Sequence, residues 1–450
     1  MPSNQFAYNS FVEWDNQING KRSPFSPLNN KLNLDDKRFH DWYRFVLSYP
    51  AHLVRTYLQE FCSSQNDIVL DPFCGTGTTL VEAKLNGINS VGIEANPFAH
   101  FASTTKINWE ISADQFLKCA LEIADLVRSE FEKSGIDDDD INMPEHTFPL
   151  RTLDSELEKI ILTNSISPIP LHKTLVLLEK IKNHAQKKYY PHLLLGLAKA
   201  TVFKTSNLKF GPEVGLGKIK KNVPVIASWL FEINAIANDI RSIQIGKPKE
   251  SVAHLGDSRQ ASALIKPQSI TAVITSPPYP NEKDYTRTTR LESVLLGFIR
   301  SKEELRQFKK TLIRSNTRGV YKDDDDHQWI ANHPEIKRIA DQIEARRIEL
   351  NKTSGFERLY SRVTLLYFGG MAKHLKELQP VLKPGARLAY VVGDQASYLR
   401  IMIRTGEILA DIARKLGYRV DRIDLFRTRF ATATGEQLRE EVVVLTWPGN

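Results

Sequence analysis

Residues 67–79 read Asp67-Ile68-Val69-Leu70-Asp71-Pro72-Phe73-Cys74-Gly75-Thr76-Gly77-Thr78-Thr79. The aliphatic run at its start predicts a short buried strand. The glycines predict a turn whose backbone can approach a ligand without a Cβ clash. Residues 80–85 then predict a helix, and Ser90-Val91-Gly92-Ile93-Glu94 predicts a second strand. Strand, glycine turn, helix and strand in this order open a parallel, doubly wound α/β sheet.

Upstream, residues up to 37 are polar, contain Pro24 and Pro27, and predict an irregular arm. Residues 39–61 are helix-like, with Pro50 breaking them into two pieces. Downstream, 107–245 reads as almost wholly helical: Phe116, Ile123, Val127 and Phe131 recur near helical spacing, as do Trp229, Ile233, Ile236 and Ile240. Strand character returns at Thr271-Ala272-Val273-Ile274, and a second helical stretch covers 291–373. The end is α/β again: a strand at 388–392 after the turn Lys383-Pro384-Gly385, a helix at 403–416, and strands at 419–425 and 441–447. The expected organisation is an N-terminal arm and helix (1–60), a catalytic core assembled from 61–105, 250–290 and 375–450, and two mainly helical insertions, 106–249 and 291–374. Target recognition is expected from these insertions, with 106–249 as a candidate place.

Composition narrows the class. Of 450 residues, 41% are hydrophobic and 25% charged, enough apolar surface for a large core without disulfides. The three cysteines, Cys62, Cys74 and Cys119, form no CxxC pair, which argues against a zinc ribbon and for a reducing, cytoplasmic setting. The N-terminus lacks a signal-peptide pattern, and no run approaches 18 apolar residues, so no membrane span is expected. The net charge of +8 mildly favours a polyanionic partner. The acidic runs at 137–140 and 323–326 predict solvated loops or helix starts; no metal site is expected, because hard cations need ligands arranged around the ion.

Two constellations carry chemistry. Glu94 lies 17 residues after Gly77, at the tip of the second predicted strand, where an acid suits a ribose diol. Dinucleotides and S-adenosylmethionine both answer that description. Leu80 replaces the third glycine of a dinucleotide loop, and Asp71 would repel a pyrophosphate but suits an ammonium and a sulfonium. The second constellation is Thr275-Ser276-Pro277-Pro278-Tyr279, directly after a predicted strand. Its prolines lack N–H donors and fix φ, making a rigid extended turn at the carboxyl edge of the sheet, where open α/β folds place ligands. Carbonyls there are free to accept from an amino group, and Tyr279 can stack on a planar base. An exocyclic amine is a poor nucleophile because its lone pair is delocalised. Acceptors on both hydrogens, with Ser276 Oγ and the Pro277 carbonyl as candidates, favour the sp³-like nitrogen that can attack.

These residues resemble the DNA amino-methyltransferase family, which makes N4-methylcytosine or N6-methyladenine. The stretch 71–77 is similar to its cofactor motif I, Glu94 to the motif II acid, Gly256-Asp257-Ser258 to motif III, and Ser276-Pro277-Pro278-Tyr279 to catalytic motif IV. Ser48-Tyr49-Pro50-Ala51-His52-Leu53-Val54 resembles motif X, and the stretch 382–388 resembles the entrance to strand five of methyltransferases. The resemblance implies a Rossmann-like methyltransferase sheet and S-adenosyl-L-methionine held by Asp71, Pro72, Phe73, Gly75, Gly77, Thr78, Thr79, Glu94, Asp257 and Ser258. It implies catalysis by Ser276, Pro277, Pro278 and Tyr279. A serine opening motif IV is more like the cytosine-N4 members than the adenine-N6 members, so site-specific cytosine-N4 methylation of DNA is expected. Adenine-N6 methylation and amino methylation of RNA bases are the alternatives. A cognate restriction endonuclease is the expected partner where the enzyme is not solitary. Cys74 lies in the cofactor loop and reads as a packing residue. Nucleic-acid contacts are expected from Lys209, Lys218, Lys220 and Lys221 in KTSNLKFGPEVGLGKIKK (204–221), and from Arg287, Arg314 and Arg318. Asp284 and Tyr285 are expected near the pocket.

Overall fold

Aliphatic runs flanked by turns become strands, here as expected, and most of them join one sheet. The structure, a computed structural model, describes residues 34–45, 48–140, 149–211, 213–243, 249–281, 283–431 and 435–449. The predicted arm therefore lies largely outside the described residues. In chain order the strands are β1 (Ile68–Asp71), β2 (Asn89–Glu94), β3 (Leu208–Phe210), β4 (Val214–Leu216), β5 (Ser251–Leu255), β6 (Ile270–Thr275), β7 (Leu382–Gly393), β8 (Arg419–Ala431) and β9 (Glu436–Thr446). Seven of them form a sheet in the order β5-β2-β1-β6-β7-β9-β8. The first five run parallel, and β9 is inserted antiparallel between β7 and β8. This is the doubly wound, Rossmann-like arrangement. Chain order reverses between β1 and β6, and such a reversal opens a crevice at the carboxyl ends of the strands.

The longer helices are α1 (Ala51–Phe61), α2 (Thr78–Leu85), α3 (Pro97–Lys106), α4 (Ala113–Lys133), α5 (Pro168–Lys182), α6 (Tyr190–Ala200), α7 (Val225–Arg241), α8 (Lys302–Lys310), α9 (Pro334–Glu349), α10 (Tyr360–Leu378) and α11 (Thr405–Lys415). Strand side chains alternate, so the sheet has two apolar faces. Leu70, Val273, Leu388 and Tyr390 share one buried cluster with Tyr367, Phe368 and Met371 of α10 and Leu409 of α11. Val69, Ala272, Ile274, Ala389 and Val391 share the opposite cluster with Leu53, Val54, Tyr57 and Leu58 of α1. Each large side chain so buried contributes about 1.5–3 kcal/mol. A third cluster, including Phe116, Leu193 and Trp229, is built by α4, α6 and α7 and takes in Phe39 and Trp42. Asp239 fastens that segment by accepting from Phe39 N at 2.9 Å and Trp42 Nε1 at 2.8 Å. Among the described residues no helix is long and apolar enough to cross a membrane.

Several expectations need correction. Among the described residues of the helix-like stretch 39–61, only α1 is an α-helix; His40–Trp42 is a single 3-10 turn. Pro50 caps α1, a position where its missing N–H costs nothing. The stretch 107–245 is not wholly helical, since it carries the β3–β4 hairpin. Lys383-Pro384-Gly385 lies inside β7, with Gly385 at φ +83° donating its N–H to Trp447 O at 2.7 Å. The acidic runs are not simply solvated. Asp138 accepts from Val225 N (3.0 Å) and Ile226 N (2.8 Å) at the start of α7, where a helix dipole favours an anion, and it pairs with buried Lys173. Asp324 pairs with Arg314 at 2.7 Å and Asp326 with Arg259 at 2.5 Å. Because α10 covers a face of the sheet, we propose that the second insertion ends near residue 360 rather than 374.

Helix α10 rests directly on the segment 326–330. A Cβ on Gly369 would lie 2.0 Å from the Asp326 carbonyl oxygen and 2.5 Å from its carbon, both backbone atoms that cannot rotate away. Gly369→Ala is expected to cost about 1–3 kcal/mol through overpacking. Gly370→Ala, whose Cβ would meet side chains alone, the Asp326 carboxylate at 3.2 Å and Ile313 at 3.5 Å, is expected to cost less. Denaturant unfolding of both variants checks the order; equal, negligible losses would refute this close approach.

Candidate active site

The carboxyl ends of four parallel strands meet on one edge. β1 leads into the 72–77 loop, β2 ends at Glu94, β5 leads into Gly256-Asp257-Ser258, and β6 leads into Ser276-Pro277-Pro278-Tyr279. Where β1 and β6 adjoin, the Asp71 carboxylate is wholly buried and joins three segments. It accepts from Tyr49 OH at 2.8 Å, from Thr275 Oγ1 at 2.6 Å and from Phe73 N at 3.1 Å. Tyr49 OH also bonds Thr79 Oγ1, which donates to the Ile274 carbonyl at 3.2 Å. Burial raises the Asp71 pKa, and these donors oppose the rise.

A cleft of about 380 Å³ opens on this edge, within the range of small-ligand sites. Gly75 and Pro278 line it together. Gly75 takes φ +52° and donates its N–H to Glu94 Oε2 at 2.7 Å, while Asn96 N donates to Glu94 Oε1 at 2.7 Å. Burial lifts the Glu94 pKa to about 7, against the pull of these two N–H groups. Among the described residues the Thr76 hydroxyl, buried in the lining, has no hydrogen-bond partner, which leaves an acceptor and donor available to a ligand. At the far side, the Tyr279 ring lies against Gly393, where a Cβ would come within 3.1 Å of it. Tyr279 N donates to Tyr285 OH at 3.3 Å, and burial keeps the Tyr279 phenol protonated. A buried carboxylate at one end and a flat aromatic beside two prolines at the other suit S-adenosylmethionine and a planar base.

The structure sorts the predicted residues. Pro72, Phe73, Gly75, Thr78, Glu94, Ser258, Ser276, Pro277, Pro278 and Tyr279 line the cleft, as do Asp284, Tyr285, Arg287 and Arg318. Asp71, Gly77, Thr79 and Asp257 do not. Gly77 caps α2 at φ +83°, and a Cβ there would come within 3.0 Å of Ser103, so helix packing explains this glycine. The Asp257 carboxylate is committed to Arg259, with contacts of 2.7–3.1 Å. Arg314 is the clearest correction among the DNA-contact candidates. Although it borders the cleft, it is buried and its guanidinium is spent on Asp324 and on the carbonyls of Lys309, Lys310 and Leu312. Lys209, Lys218 and Lys221 are exposed away from the lining, and Lys220 Nζ donates to the Lys204 carbonyl at 2.6 Å. Cys74 lies against Gly92, and burial pushes its thiol pKa up, which fits a packing role.

Other lining residues had no signal in the sequence. Phe210 and Val214 of the β3–β4 hairpin, Asn316 of the second insertion, and Arg427 and Arg429 of β8 close the cleft from three sides. Behind it, His374 joins Ser258 O (3.1 Å) to Tyr390 OH (2.8 Å) and packs edge-on to Phe73, with burial lowering its pKa to about 4.

The raised pKa of Glu94 gives a signed expectation. Above about 7 the carboxylate is ionised and can accept from a diol; below it, the protonated group loses acceptor capacity. Affinity for S-adenosylmethionine, measured by calorimetry, should weaken as pH falls through 7. Glu94→Gln should bind weakly throughout, with that slope removed. A wild-type affinity independent of pH would count against Glu94 as the acceptor.

Comparison with known proteins agrees with this geometry. The N6/N4-methyltransferase family model, described as DNA methylase, matches residues 14–104. The chain is 28% identical over 418 residues to the Type II methyltransferase M.BsoBI of Geobacillus stearothermophilus, covering 88% of this chain and 81% of that protein. It is 24% identical over 417 residues to the Type II methyltransferase M.AvaI of a Nostoc species, covering 85% and 79%. A shorter match, 29% over 130 residues, links it to the Type II methyltransferase M.MjaII of Methanocaldococcus jannaschii, covering 28% of this chain and 24% of that protein. The sheet order, the two loops on one cleft and these relatives together support the DNA amino-methyltransferase family for this chain.

Proposed function

We propose that this protein is a site-specific DNA methyltransferase acting on the N4 amino group of cytosine, with S-adenosylmethionine as methyl donor. The observation that carries the reading is the shared cleft: the glycine loop with Glu94 and the 276–279 turn open on the same space. Bound there, S-adenosylmethionine supplies an electrophilic methyl group. Glu94 holds the ribose diol, the backbone of Gly75 and Gly256 lets the cofactor approach, and Phe73 flanks it. Asp71 acts one layer back, holding the loop, Tyr49 and Thr275 in register.

At the other end Tyr279 stacks on the target base, while Ser276 Oγ and the Pro277 carbonyl accept the two amino hydrogens. Fixed acceptors act on the transition state without reorganising, and alignment lowers the barrier further. Neither group is a strong base, and none is needed, because the amino proton becomes acidic once nitrogen carries the positive charge. The serine opening this turn favours cytosine over adenine. The target base has to leave its stack to reach so enclosed a site. The relatives are named Type II methyltransferases, which supports DNA as substrate, a cognate restriction endonuclease as partner and a cytoplasmic setting.

Labelled cofactor, DNA and RNA, followed by mass spectrometry of the nucleosides, tests the reading. N4-methylcytosine in DNA is the expected product; N6-methyladenine, or product in RNA alone, would overturn the base or substrate assignment. Tyr279→Ala should lower kcat/KM by about 100-fold through loss of alignment, with cofactor affinity unchanged within about twofold. Undiminished turnover would remove Tyr279 from the site.

A further inference from the structure

Among the described residues, two cations at the rim of the cleft have no carboxylate within hydrogen-bond distance, although Glu440 acts on both. β8 and β9 stay paired beyond the end of β7: Gly393 is the last β7 rung, opposite Glu440, whereas Thr428, Arg429, Phe430 and Ala431 pair onward with Arg439, Leu438, Gln437 and Glu436. β7 runs parallel to β6, so this two-stranded overhang leaves the sheet at the edge that carries the 276–279 turn. Arg427 and Arg429 point to the same side and both line the cleft. Arg427 is spent on Glu440, with Nε 2.5 Å from Oε2. Arg429 reaches the same glutamate only at 3.8 Å, and its side chain is 44% exposed.

Lys283 lines this cleft four residues after Tyr279. Its backbone is pinned on both sides: its N–H donates to Asn281 Oδ1 at 3.3 Å, and its carbonyl accepts from Asn316 Nδ2 at 3.1 Å. Among the described residues its ammonium has no ion pair. It shares the cleft with Arg429, and its pKa is lowered, first by burial and next by the charge of Arg429, with Glu440 and Glu213 pulling the other way. Like charges lining one cleft repel, and Glu440, already bonded to Arg427, offsets this only in part; an anion between them would relieve the rest.

Resting on the base-methylation reading above, we propose that Lys283 and Arg429 clamp a backbone phosphate of the DNA beside the target nucleotide, fixing its sugar while the base lies against Tyr279. The chemistry suits a phosphodiester: guanidinium offers a planar fork, ammonium a compact point charge, and an extruded nucleotide carries its phosphates at the mouth of the pocket. Contacts of this kind position the strand without reading sequence.

Lys283→Ala, Arg429→Ala, the double variant and Arg429→Lys should be compared with wild type on long unmethylated DNA of mixed sequence. Each alanine variant is expected to raise KM for DNA about tenfold, with kcat within about threefold and S-adenosylmethionine affinity unchanged. The double variant should fall short of the product of the single effects, since both groups act on one phosphate. Its dependence of log(1/KM) on log salt should be shallower by about one. Arg429→Lys should restore most of the loss. Wild-type turnover with an unchanged KM and salt slope in all variants would overturn the clamp, as would an equal loss of cofactor affinity. Absence of any base methylation by wild type would overturn the underlying reading, and the clamp with it.

Discussion

The site depends on one buried carboxylate. Asp71 terminates β1 at the point where the sheet reverses its winding, and no water reaches it. An unpaired charge there would cost several kcal/mol, so its donors are structural requirements rather than ornaments. Those donors come from three separate stretches of chain: Tyr49 before α1, Phe73 in the glycine loop and Thr275 at the tip of β6. Satisfying one carboxylate therefore fixes the cofactor loop relative to the 276–279 turn. Reading Asp71 as a direct cofactor contact follows naturally from its place before a glycine turn, but its oxygens face the protein.

That distinction marks what a sequence conveys about this site. β1, β2 and β6 were legible because a fully buried parallel strand has to be a short aliphatic run. The two chemical loops were legible because glycine and paired prolines mark turns with specific backbone needs. β5 was harder: its residues, SVAHL, are only partly buried at the sheet edge and carry a histidine. The β3–β4 hairpin was hidden among helices because its strands are three residues each and half-exposed. Its position across the cleft is a tertiary fact with no local signal.

The insertions are less peripheral than their place in the chain suggests. α10 forms a layer against the sheet, and Gly369 lets it sit directly on the second acidic run. The same run supplies Asp326 to Arg259, which holds Asp257, and Asp324 to Arg314, which borders the cleft. Acidic runs read as solvated faces when their partners are distant in sequence. Here the partners lie ten residues away for Asp324 and 67 for Asp326, beyond any helical spacing rule.

Net charge had the same weakness as a guide to partners. An excess of +8 says that polyanions will be attracted, not where they bind. The conspicuous lysine-bearing stretch 204–221 contributes Phe210, Gly211, Glu213 and Val214 to the cleft but none of its lysines. Arg314 is consumed internally, while Lys283 and Arg429, in stretches of ordinary composition, face the cleft. A cation is a candidate for a binding surface when the fold leaves its charge only partly compensated at a concave edge. That criterion depends on neighbours brought together by β6 and β8, which are separated by the whole second insertion, β7 and α11.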